Sequence, residues 1–434
     1  MSRNVFRSSS PTPQALSLMR DVSGAESRGT APPAASFVAL LLVATALSLV
    51  LGYALKDNCT DQPWDGRQWT TLCANDVVFL YSIDDLQHDT TFPPPHIEYP
   101  ALIVMLIGLT ARFAHSAGGF LQLNGLVAVA AALASAAILA RLAPGRRALL
   151  FALAPPLALY AFQNWDLIAV ALTLGAFYLL VARDQPRAAG LSLGFGAAVK
   201  IFPGLLLPAF LVFEQSAART LRPTPRTKTL LAGFAIGLVV PNAILWVLSH
   251  SAWGYFWSFQ AHRFPNPETS WFMIFRHLHG SAVVEGWWTH GYVRLVNALS
   301  LVLFLAVAGY AVVREWRSER PRLFELSLAI VAIFLLTAKV FSPQYMLWLL
   351  PFLAIVRIPW KAVAACLITD VAVLLAINWY YAELARGGNW QTMLTLLEIA
   401  VWARYAALAW VAWVALRRAR QSSPAAKHAA LPIA

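Results

Sequence analysis

FVALLLVATALSLVLGYAL, residues 37–55, decides the fold: it carries no charge and matches the run of about 20 apolar residues that a spanning helix needs. Comparable stretches recur as far as Leu416, so the membrane region fills nearly the whole chain. Of the 434 residues, 59% are hydrophobic and only 12% charged, which excludes a soluble globular protein of this size. The fold expected is all-α, a polytopic transmembrane helical bundle in one domain over 36–420, with outer loops 56–120 and 250–290. Residues 1–35, rich in Ser, Pro, Ala and Arg, and residues 421–434 cannot build a core and read as disordered cytoplasmic tails. A polar leader of that length argues for a retained first span rather than a cleaved signal peptide.

The net charge is +12, but the basic residues cluster in short loops between apolar segments, where they set topology and do not mark nucleic-acid binding. Arg141, Arg146 and Arg147 share one such loop, Arg183 and Arg187 the next, and Arg219, Arg222, Arg226 and Lys228 a third. Arg314 to Arg322, Arg357 to Lys361 and Arg417 to Arg420 complete the set. Placing all of them inside gives spans at 36–55, 121–140, 148–162, 166–182, 188–199, 202–214, 229–249, 291–313, 323–338, 343–356, 358–380 and 394–416, about 12 in all, with both termini cytoplasmic. The assignment requires 101–113 to lie in or dip into the outer interface, because a thirteenth crossing there would invert every later loop.

The unusual polar residues then fall on the outer side. The first outer loop holds Asp57, Asp61, Asp65, Asp76, Asp84, Asp85, Asp89 and Glu98, with His88 and His96. Most of these are solvated loop carboxylates. Asp76 differs: in Asn75-Asp76-Val77-Val78-Phe79-Leu80-Tyr81 it opens an apolar-aromatic stretch, where partial desolvation strengthens a carboxylate as a base. Gln163-Asn164-Trp165-Asp166 puts an acid between two apolar helices, either as a functional group or as a cap of the following helix. Lys200 in Lys200-Ile201-Phe202-Pro203 and Lys339 in Lys339-Val340-Phe341-Ser342-Pro343 both leave an apolar helix just before a Pro-started one. Each either snorkels to the interface or neutralises an anionic lipid head group. Gln260-Ala261-His262-Arg263, followed by Glu268, suits a sugar or a phosphate. Cys59 and Cys73 share the first outer loop and can pair there, whereas Cys366 sits in an apolar run.

Taken in order, Asn75-Asp76, Glu98-Tyr99-Pro100, Asn164-Trp165-Asp166, Lys200-Ile201-Phe202-Pro203, His262-Arg263 and Ser342-Pro343-Gln344-Tyr345 resemble the GT-C membrane glycosyltransferases. Within that superfamily the chain is similar to glycosyltransferase family 87, the polyprenyl-phosphate-mannose-dependent α-mannosyltransferases of actinobacteria. One departure is the Gln163-Asn164 pair, where many relatives have Gly-Gln. The resemblance implies inverting transfer of a sugar, mannose being expected, from a polyprenyl-phosphate-linked donor to a hydroxyl of a cell-envelope glycolipid or polysaccharide on the extracytoplasmic face. The family's essential acid maps onto Asp76 as catalytic base, and Asn75, His96, Glu98, Tyr99, Asn164, Asp166, Lys200, His262, Arg263, Lys339, Gln344 and Tyr345 are the expected substrate-binding residues.

Polyprenyl phosphate is a good leaving group, so one base and cations that meet its developing charge suffice. No cofactor is required; the scheme does not demand a divalent metal, although the acidic loop has the ligands to hold one. The partners expected are the lipid-linked donor, the acceptor and membrane lipid. The rival reading is a secondary transporter or lipid flippase, which would set its coupling carboxylates inside spans and show two matching halves. A scaffold subunit would need none of these polar clusters.

Overall fold

The computed structural model describes residues 33–60, 64–88, 91–215, 222–280, 290–318 and 320–417. The expected tails lie outside the described residues, apart from 33–35, as do Asp61, Asp89, Arg219, Arg418, Arg420 and positions 281–289 of the second outer loop.

An uninterrupted apolar run makes α1 (Ala35–Asp57). The loop expected to lie outside holds two short helices, α2 (Arg67–Thr70) and α3 (Asp76–Ile83), and then α4 (Ala101–Ala111). After α5 (Ala117–Leu142), Pro155 divides the stretch expected as one span at 148–162 into α6 (Leu149–Leu153) and α7 (Pro155–Tyr160). Then come α8 (Asp166–Phe177), which ends in a π-helical turn, and α9 (Pro186–Val199). Pro203 and Pro208 open the short α10 (Phe202–Leu205) and α11 (Leu207–Gln215). The long α12 (Pro225–Leu248) leads into α13 (His250–His262) and α14 (Ser270–His279), two helices where the sequence suggested a loop. The chain closes with α15 (His290–Trp316), α16 (Leu323–Thr337), α17 (Met346–Ile355), α18 (Trp360–Arg386) and α19 (Trp390–Leu416).

Six of these, α1, α5, α12, α15, α18 and α19, are long and apolar enough to cross a bilayer. The described residues contain no β-sheet, and the protein is an all-α, membrane-embedded helical bundle. At 1.5 Å per residue the 11-residue α4 spans only about 17 Å, too little to cross alone, and it packs against α5, α9 and α12.

The tightest seam joins α9 to α12. Gly190 and Gly194 lie against the Leu230 and Phe234 carbonyls, and Gly233 and Gly237 against those of Arg187 and Leu191, so a Cβ at any of the four would run into backbone. In lipid, where apolar surface alone does not drive helices together, such close approach supplies the packing.

The loops form two sets. Arg147 donates to the carbonyls of Leu353, Val356 and Ile358, Arg226 pairs with Asp184 and Glu214, and Arg322 pairs with Glu315 and donates to the Arg417 carbonyl. In the other set the segments at 56–76 and 163–166 bond to each other, as do those at 260–269 and 338–345.

Candidate active site

Asn75 begins the site. Its side chain accepts from Val78 N at 2.8 Å and donates to Cys73 O at 2.9 Å, which caps α3 and fixes Asp76 in the first turn, where the positive end of a helix favours a carboxylate. Asp76 N donates to Gln163 O at 2.8 Å, tying α3 to the turn before α8. On the half-buried Asp76, Oδ2 accepts from the Tyr99 hydroxyl at 2.9 Å and from Asn164 Nδ2 at 3.3 Å. Asn164 Oδ1 in turn accepts from Asp166 N at 3.0 Å.

Lys200 stands on the other side of Tyr99. α9 stops at Val199, and Pro203 starts the next helix, so Lys200 sits in extended backbone between them. Its Nζ lies 4.5 Å from the Tyr99 ring centroid and 3.3 Å from Asp166 Oδ1. Asp166 is fully buried, Lys200 only 9% exposed, and Trp348 Nε1 donates to the same Oδ1 at 3.0 Å. Tyr345 and Phe202 both stack on Trp348, at 4.0 and 4.6 Å between centroids. One continuous cluster thus combines Asp76, Tyr99, Asn164, Asp166, Lys200 and Tyr345. Such a cluster can take a proton at one carboxylate and meet an anion at one ammonium.

The model of glycosyltransferase family 87 matches residues 97–343, more than half of the chain. The chain belongs to that family. It is a GT-C membrane glycosyltransferase. Of the cluster, Tyr99, Asn164, Asp166 and Lys200 lie within the family 87 match, while Asp76 precedes it and Tyr345 follows it. No curated protein matches the chain. Among solved structures, ArnT from Cupriavidus metallidurans bound to undecaprenyl phosphate aligns over 88% of this chain and 78% of its own, at 14% identity and a TM-score of 0.42.

The remaining expected site residues of this glycosyltransferase fall around the cluster. Burial and then the charge of Asp76 hold the Glu98 carboxyl above its usual range, against its own backbone N–H and Arg263. His96 is exposed and faces the Tyr255 ring at 5.5 Å. His262, exposed at the end of α13, has Nδ1 2.8 Å from Ser258 O. Arg263 reaches Asn266 Oδ1 at 3.5 Å, and Gln344 is buried in the turn before α17. Lys339 is not brought together with Lys200: its Nζ donates to Gln260 O at 2.7 Å and Arg263 O at 2.9 Å, at the C-terminal end of α13. Burial and then the charge of Arg263 lower its ammonium to about 8.

Three polar residues, Lys56, Asp370 and Arg404, escaped the sequence reading, and Glu268 entered it only as a neighbour of His262-Arg263. Lys56 is buried beneath α3. Glu268 is 6% exposed with Oε2 unbonded, and burial raises its carboxyl. Asp370 and Arg404, both fully buried, lie 3.5 Å apart, and Arg404 also donates to Glu268 O and Phe341 O at 2.8 Å each. That guanidinium thereby holds together the two loops that carry Arg263 and Lys339. A charged residue inside an apolar run was the available signal for Asp370 and Arg404.

Proposed function

We propose that the enzyme transfers a sugar, mannose in the simplest case, from a polyprenyl-phosphate-linked donor to a hydroxyl of an envelope glycolipid or polysaccharide, with inversion, on the extracytoplasmic face. The observation that carries this reading is the convergence of Tyr99 and Asn164 on Oδ2 of Asp76, beside the buried Lys200–Asp166 pair. Both bonds engage one oxygen, which leaves Oδ1 to remove the acceptor proton. The acceptor oxygen attacks the anomeric carbon, the bond from that carbon to the phosphate oxygen breaks on the opposite face, and the proton passes to Asp76. Lys200 keeps donors beyond its bond to Asp166, and these meet the charge that develops on the departing phosphate. Counting the short apolar helices as tilted or broken crossings gives about 12 spans, with both termini cytoplasmic.

Single-turnover transfer from radiolabelled polyprenyl-phosphate mannose to total membrane lipid tests the assignment. Asp76→Asn keeps the bonds from Tyr99 and Asn164 but cannot take a proton, so turnover falls about 10²–10⁴-fold while donor binding survives. Transfer near the wild-type rate by Asp76→Asn, with Asp166→Asn inactive at equal folded yield, would move the base to Asp166.

A further inference from the structure

We infer that Lys56 is a positioning residue for this transfer: one buried ammonium clamps together the two chain segments that hold Asp76. The inference rests on Asp76 being the base.

A lysine at the end of a spanning helix ordinarily extends its stem toward water. Lys56, in the last turn of α1, turns inward instead and is 3% exposed. Its Nζ donates to Leu72 O at 2.9 Å, Ala74 O at 2.9 Å and Gln163 Oε1 at 2.8 Å, three acceptors for three protons. The first two acceptors belong to the turn that runs directly into Asn75 and Asp76, and Leu72 takes a left-handed φ of 58° there. The third belongs to the residue whose own carbonyl accepts from Asp76 N. Gln163 also precedes Asn164, which bonds the Asp76 carboxylate. The Cys59–Cys73 disulfide ties down the same turn, so the chain grips it at Lys56 of α1 and again at Cys59 just beyond that helix. No other side chain in the site joins the 72–76 turn to the 163–166 turn through a full set of hydrogen bonds among the described residues.

The purified full-length enzyme tests this in the steady state. Lys56→Met keeps the stem and removes the donors; Gln163→Leu keeps the volume and removes one acceptor. Misplacement of a reacting group by a fraction of an ångström to one ångström costs up to about 10²-fold, so kcat falls by that order in Lys56→Met and less in Gln163→Leu, with KM for the donor unchanged. Residues acting through one bond give non-additive losses, so the double variant is no slower than Lys56→Met. Wild-type kcat in both variants, a raised KM at constant kcat, or additive losses would overturn the inference. Should Lys56→Met not fold, the kcat and KM of Gln163→Leu decide alone. Asp76→Asn run alongside separates the two readings. An active Asp76→Asn overturns the base assignment and this inference with it, whereas an inactive one beside a fully active Lys56→Met overturns the inference only.

Discussion

A lysine ammonium withdrawn from water needs partners, and Lys200 and Lys339 find different kinds. Lys200 faces a carboxylate and an aromatic ring, an arrangement a phosphate can join; Lys339 is bound to two backbone carbonyls and holds the end of α13. Lys200→Met is therefore expected to weaken donor binding by about 1.5–3 kcal/mol, the range for a hydrogen bond to a charged group. It also leaves Asp166 buried without its cation, so the double variant Lys200→Met/Asp166→Asn should recover folded yield without recovering donor affinity. Lys339→Met should lower the unfolding temperature and leave donor affinity as it is. Titrating the lipid-linked donor against all three variants checks this, and equal loss of affinity at Lys200 and Lys339 would restore the symmetrical role that their sequence settings suggest. The two settings are alike because both lysines follow an apolar helix and precede a Pro. What distinguishes them lies at residues 166, 260 and 263, distant in the chain, and no local pattern records it. Asn75-Asp76 is the opposite case, since an Asn cap followed by an acid in the first turn is a local signal for α3.

At the scale of the element, the glycines of α9 and α12 matter more than the apolar residues around them. Gly194→Ala would press a methyl group into the Phe234 carbonyl, and overpacking of this kind costs about 1–3 kcal/mol or more because backbone must move. Gly309→Ala on α15 meets no atom within 4 Å and should be neutral or slightly stabilising through helix propensity. Thermal unfolding of the two variants in the same detergent is the measurement, and equal midpoints would mean that the seam carries no stability. The long spans could be read from length and apolarity alone, since nothing breaks them except Pro241, which α12 absorbs. The short elements were harder to bound. Pro155 divides one expected span, and α13 and α14 are short and rich in aromatic and His residues, so a search for long apolar runs passes over them. Their starts are nonetheless marked by Ser249 and Thr269, whose side chains accept from Ala252 N and Phe272 N.

At the scale of the whole molecule, the two sets of loops bear on topology. The basic loops bond among themselves through Arg147, Arg226 and Arg322, while the segments that build the site bond among themselves through Lys56, Arg404 and Lys339. Positive charge in short loops is generally retained on the cytoplasmic side, so the proposed topology predicts the site on the outer one. Impermeant maleimide on intact cells tests this, with single cysteines introduced into a Cys366→Ala background that keeps the Cys59–Cys73 bond. Asp65→Cys, at an exposed position in the first loop, should label at once, whereas Arg146→Cys, Arg222→Cys and Arg317→Cys, also exposed, should label only after permeabilisation. The comparison of Asp65 with Arg146 is the sharpest, because α4 and α5 are the only helices of more than eight residues between them among the described residues. If α4 stays on the outer side, one crossing separates the two positions and they label oppositely. Were both to label in intact cells, α4 would have to cross with α5, and the basic loop at 145–148 would face outward against the charge rule.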